Sequence, residues 1–241
     1  MRKIIILSGC VIKELLRRKD FYLIFVLLIV MIIYAGLISF GGEQGFQRYF
    51  KEIGISLAYI FSVIIAVTFA SRQVPQEVES KTIYPILARP VSRAVFLIGK
   101  FAGVLLVSVI SFTLFYAVFI VSSLLRGDFS SPSLLLAEGY LLHIFLLSFF
   151  TALTILLSLF LSAAANVGLS LIIYLSTNWF GASLPGYIYL PHPELFDIKE
   201  KIVHTWDLVP GWVLLFLGAY AAIYTSIFLF SACLVFKKRD L

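Results

Sequence analysis

The residue types that could do chemistry are few, and their spacing removes most of the usual reactions. The chain has 241 residues, with 13 Asp and Glu, 19 Lys and Arg, and three histidines. There is no HExxH zinc helix, no GxSxG nucleophile elbow and no paired acidic motif of the kind that holds magnesium in prenyl-transfer enzymes. No two histidines stand at metal-ligand spacing, so no metal site is expected. The GxxxxGK[ST] phosphate loop is missing as well, so ATP is not expected to bind to this chain in that way. Cys10 and Cys233 lie far apart in sequence, which offers neither a CxxC site nor a disulfide framework. Two ionisable groups remain inside otherwise apolar sequence, Glu138 and His143. At such a depth an ionisable side chain is costly and faces a cavity or a partner, which makes both candidates for a substrate path. Five positions separate them, so they do not share a helix face. The plainer alternatives are headgroup depth for Glu138 and, for His143, a neutral imidazole bonded to a neighbouring helix.

The elements that must carry these residues follow from composition. Apolar residues make up 61% of the chain and charged residues 13%, with a mean hydropathy of +1.03. A soluble domain is about 45–50% apolar and about 25% charged. Soluble globules and disordered tails are therefore excluded, and an all-α polytopic membrane protein is expected. One crossing takes about 20 apolar residues. Six such runs are present, over 21–40, 53–70, 101–125, 133–161, 167–182 and 210–236, within a single transmembrane domain. The fourth and fifth come from one stretch without Lys or Arg that is too long for a single crossing. The small, polar 162–166 segment is the expected break. Charge then sets orientation. Fourteen lysines and arginines fall on the face that holds both termini and the loop after the second span, against five on the other. The positive-inside rule makes that face cytoplasmic, so the expectation is a multi-pass cell-membrane protein with both termini in the cytoplasm. The net charge of +6 has this origin, and no nucleic acid is expected as a partner.

Two further segments have helical patterning. Over 3–19, Ile4, Leu7, Val11, Ile12 and Leu15 recur at helical spacing opposite basic residues. That is the pattern of an interfacial helix on anionic membrane lipid. Over 197–209, Ile198, Ile202 and Trp206 recur every four residues, Asp197 can cap the first turn, and Pro191, Pro193 and Pro210 bound the segment. A short outer-leaflet helix before the last span is expected there, with Ile198, Ile202 and Trp206 as a possible outer gate. Ser148, Thr151, Thr154 and Ser158 in the fourth span read as a close helix interface.

The most informative stretch is Gln76-Glu77-Val78-Glu79-Ser80-Lys81-Thr82-Ile83-Tyr84-Pro85-Ile86-Leu87-Ala88-Arg89-Pro90-Val91-Ser92-Arg93, continuing to Lys100. It resembles the cytoplasmic loop of ABC exporter permeases of the second type. Glu79, Thr82, Ile86, Leu87, Pro90, Val91, Ser92, Arg93 and Lys100 match that pattern in order and spacing. Lys81 stands where the family usually has Gly, and Pro85 interrupts what is usually continuous helix. The resemblance implies a cytoplasmic coupling helix that docks on a separate ATP-binding subunit, with Glu77, Glu79, Lys81, Thr82, Arg89, Pro90 and Arg93 as the contact. It also implies two copies of that subunit, which bind ATP and Mg, and a second permease copy or a related permease. The chain itself is then not an enzyme and holds no cofactor. The alternative is a membrane scaffold or intramembrane enzyme without transport activity.

Overall fold

The computed structural model describes residues 2–37, 42–81, 92–125, 133–180, 191–204 and 206–238. Nine α-helices and one 3-10 turn make up the regular structure of these residues, and no strand occurs among them. In chain order the helices are α1 (Arg2–Leu16), α2 (Lys19–Leu37), α3 (Gly42–Arg72), α4 (Pro75–Glu79) and α5 (Arg93–Leu125). They continue with α6 (Ser133–Leu157), α7 (Ala163–Phe180), the 3-10 turn Pro193–Phe196, α8 (Lys199–His204) and α9 (Gly211–Lys238).

Four of these helices are long and apolar enough to cross a membrane: α3 with its α4 extension, α5, α6 and α9. Two shorter apolar stretches, Phe21–Tyr34 in α2 and Ala163–Thr177 in α7, accompany them. The architecture is thus all-helical and compatible with a multi-pass membrane protein. α3 is its axis, in contact with α2, α5, α6, α7 and α8. Ile55, Ala58, Val63, Ile65, Ala66 and Val67 are fully buried along it. α9 differs: Trp212, Leu215, Phe216, Ile223, Ile227, Phe230 and Leu234 all lie exposed on its outer side. In water such a surface would be a liability, whereas hydrocarbon requires only that the backbone be satisfied within the helix.

The local causes of the boundaries are visible. α1 and α2 meet at an elbow at Arg17–Arg18, where the Phe21 N–H reaches only the Arg18 carbonyl (3.2 Å). Ser92 caps α5 through the Val95 N–H (3.3 Å). Ser162 caps α7 through the Ala165 N–H (3.4 Å).

Three expectations from the sequence are corrected in detail. The turn between α6 and α7 lies at 158–162, not at 162–166. Ala163 to Asn166 already form the first turn of α7, because Ser162 supplies the cap and the alanines are strong helix formers. The N-terminal helix ends at Leu16, before the elbow. Its apolar stripe does not simply rest on lipid: Val11 and Leu15 are 1% exposed, and α1 packs along α5. The outer helix is also shorter than 197–209, since α8 stops at His204 and residues 206–210 are irregular.

Candidate functional site

Polar side chains gather at the basic end of the bundle, where the informative stretch begins. Pro75 lacks the N–H needed to continue α3. The chain turns at Gln73–Val74 and restarts as α4 with Pro75 in its first turn. The Arg18 guanidinium, at the α1–α2 elbow, donates to Gln76 of α4 and to Glu14 (2.9 Å). Glu77 forms an ion pair with Lys100 of α5, both largely buried. The Lys100 ammonium also lies 5.7 Å from the Phe96 ring centroid. A polar cleft of about 220 Å³ opens here, with Glu14, Gln76, Glu77, Ser80 and Lys100 among its walls. Glu79 and Lys81 are exposed, and Lys81 has a left-handed backbone, φ 56°. Thr82, Arg89 and Pro90 lie outside the described residues. Arg93 turns inward to the bundle: its Nη1 donates to the carbonyls of Phe236 (2.9 Å) and Lys237 (3.1 Å) at the end of α9.

At the opposite end, residues 193–204 pack against α3, α6 and α7. Phe196 is fully buried and packs edge-on to Phe145 (ring centroids 6.4 Å apart). The His192 N–H donates to the Tyr220 hydroxyl of α9 (2.8 Å). Asp197 accepts the Lys199 N–H (3.0 Å) and so starts α8 as a side-chain cap. Ile202 is fully buried against α6. A Cβ at Gly139 would stand 2.5 Å from its Cδ1, so a larger residue there must displace the tip of the Ile202 side chain. Ile198 is half-buried, whereas Trp206 is 54% exposed with its ring stacked on His204. Glu138 stands at this end as well. Its Oε2 accepts the Val209 N–H (3.0 Å) just before Pro210 and thereby ties the start of α9 to α6.

His143 is placed deepest, 1% exposed. Its ring stacks on Tyr59 at 4.0 Å and tilts against Phe112 at 4.3 Å between centroids. Its Nε2 lies 2.7 Å from Ser62 Oγ. Ser62 Oγ also stands 2.8 Å from the Tyr59 carbonyl, and which of the two takes the hydroxyl hydrogen follows the imidazole tautomer. The pair links α3 to α6. Two hydroxyls of α6 also bond neighbouring helices. Ser148 bonds Thr225 of α9 (3.1 Å), and Thr154 bonds Ser170 of α7 (3.2 Å).

Glu77 and Arg93 are thus brought to the same two turns of α5, while Glu138, Ile198, Ile202 and Trp206 belong to the opposite end and His143 to neither. The sequence reading overlooked Arg18, Gln76, Tyr59 and Ser62 as contacts. Gly99 and Gly103, four apart on α5, were the available signal for where α1 packs.

The chain belongs to the family described as "Protein of unknown function (DUF2705)", whose model matches residues 27–241. The match begins within α2 and takes in every later element, so both polar ends lie inside it except for Glu14 and Arg18. No curated protein matches the chain.

Proposed function

We propose that this chain is the transmembrane subunit of an ATP-driven ABC exporter, forming the substrate path and coupling to a separate ATP-binding subunit. The observation that carries the reading is the ordered loop motif from Glu79 to Lys100, together with the ion pair that ties its last residue to the short helix bearing its first. Glu79 closes α4, and Lys100 pairs with Glu77 of the same short helix. A short charged helix held against two long apolar ones suits the transmission of a rigid-body movement.

On this reading the chain crosses the membrane six times with both termini cytoplasmic. α2 and α7, at 19 and 18 residues, rise about 28 and 27 Å. That is close to the hydrocarbon thickness of about 30 Å, which supports counting them with the four longer helices. Two copies, or one copy and a related permease, enclose the path between them. The outward side of α2, with Tyr22, Leu23, Val26, Leu27, Val30 and Met31, is a wide apolar hollow for a second copy or lipid. ATP and Mg bind in the partner, present twice. The 193–204 segment, seated by Phe196 and Ile202, is the outer gate.

An ATP-binding subunit encoded beside this gene should co-purify with the chain. Glu79→Lys, an exposed change at the end of α4, should weaken that association about tenfold, the scale of one lost charge contact at an interface, with membrane insertion as in wild type. A wild-type chain that never retains such a subunit would favour the scaffold or intramembrane-enzyme reading. Unaltered association and transport in Glu79→Lys would remove α4 from the interface.

A further inference from the structure

Arg93, Phe96 and Lys100 stand three and four positions apart, so they share one face over the first two turns of α5. Each holds something different. Arg93 donates to two carbonyls in the last turn of α9, Phe236 O and Lys237 O, at 2.9 and 3.1 Å. Its guanidinium carbon also lies 5.8 Å from the Phe236 ring centroid. Phe96 stacks on that same ring, 5.9 Å between centroids and 18° between planes, and both phenylalanines are fully buried. Lys100 sits over the other phenylalanine, Phe96, and pairs with Glu77 of α4. Cation, ring, ring, cation and carboxylate thus form one continuous run from the end of α9 to α4.

We infer that this face of α5 is a clasp that makes α4, the start of α5 and the end of α9 a single mechanical body, with Arg93 as its positioning residue. The physical reasons are local. The final carbonyls of a helix have no partner within it, and a cation there is favoured by the helix dipole. Arginine suits the position better than lysine, because a planar guanidinium can lie against a ring while its N–H groups reach two acceptors. Arg93 Nη1 therefore reaches both of its acceptors inside the chain. A displacement imposed on α4 then carries the end of α9 with it. That last step rests on the reading of α4 as a coupling segment; the clasp itself does not.

Two measurements separate these claims. In the first, hydrogen exchange is followed over 230–238 for the chain alone in lipid nanodiscs. Arg93→Ala should speed exchange there about tenfold and Arg93→Lys about threefold, with 163–177 unchanged as the reference, since loss of a terminal tether opens the adjacent turn locally. Phe236→Leu, which keeps the carbonyls and removes the ring, should lie between wild type and Arg93→Ala. Exchange in Arg93→Ala equal to wild type would overturn the clasp. Should that variant not fold, equal exchange in both Arg93→Lys and Phe236→Leu would overturn it. In the second, spin labels at positions 80 and 238 are each measured against a label in α7, with the ATP-binding subunit bound and with nucleotide added or withheld. The two labels should shift together in wild type, and only the label at position 80 in Arg93→Ala. A wild-type chain in which only position 80 shifts would overturn transmission to α9. A wild-type chain in which neither shifts would overturn the coupling role of α4, with the exchange result still deciding the clasp.

Discussion

Lys81 holds φ at 56°, where a side chain's Cβ crowds the following carbonyl and costs about 1–2 kcal/mol in any residue but glycine. The resemblance to exporter permeases placed glycine at this position. Its backbone reason is now apparent: the chain turns left-handed immediately after α4, and the Lys81 N–H bonds Val78 O (3.2 Å) to close that helix. Lys81→Gly should therefore stabilise the turn by about 1 kcal/mol, less the extra freedom glycine has when unfolded. Slower exchange of the Ser80 and Lys81 amides would show it. Lys81→Ala is the control, because it removes the charge and keeps the Cβ. An equal gain from Ala and Gly would mean that charge, not backbone conformation, matters at position 81. Single-residue chemistry was only partly legible beforehand. Glu77 and Arg93 stand out as charges in any reading of the sequence. Their partners, Lys100 and the carbonyls of residues 236 and 237, depend on which helices become neighbours, and periodicity is silent on that. For His143 the polar partner on another helix was foreseeable in kind; that it is Ser62 depends on how α3 packs against α6.

Among the elements, α1 departs furthest from its sequence pattern. The stripe Ile4, Leu7, Val11, Ile12 and Leu15 is real, but a stripe does not say what covers it. Gly99 and Gly103 of α5 supply the answer. A Cβ on Gly103 would lie 2.6 Å from Val11 Cβ, and one on Gly99 would lie 2.8 Å from Leu7 Cβ. The two helices therefore touch nearly backbone to backbone, as small residues four apart allow. Gly103→Val should cost about 1–3 kcal/mol, the usual penalty of overpacking. It should also raise proteolysis and exchange across residues 4–16. Gly9→Ala, with nothing within 4 Å of its added Cβ, is the matched control and should leave both unchanged or slightly lower. Equal behaviour of the two variants would return α1 to the lipid surface. The shortening of α8 has a similar cause. The apolar spacing Ile198, Ile202 and Trp206 continues past His204, but local spacing could not show that the chain must turn there to bring the Val209 N–H to Glu138.

For the whole molecule, the number of crossings separates the possible topologies. Ser80 and Glu200 are both exposed, and α5, α6 and α7 lie between them. If all three cross, cysteines at 80 and 200 label from opposite sides of sealed membranes. If only the four longest helices cross, α7 does not count and both label from the same side. The native Cys10 and Cys233, both free, are replaced by serine first. Labelling from one side would remove the six-crossing topology and, with it, the cytoplasmic placement of both ends. At this scale the sequence was most informative, because hydrocarbon leaves so few solutions: apolar runs become helices. What it could not show is that α3 is the axis and α9 lies at the edge, since both runs are comparably apolar.

The contact between α1 and α5 also has a timetable. Val11 and its seat at Gly103 are separated by about 90 residues, which take about 5 to 20 s to synthesise at ordinary translation rates. For that interval the stripe on α1 has no protein to cover it. A helix of purely lipid-crossing composition would insert during the wait, and a purely polar one would be lost to water. An amphipathic helix can rest at the headgroup level until the third long apolar run emerges to receive it. The resemblance of α1 to a lipid-surface helix thus describes its first seconds, before α5 arrives.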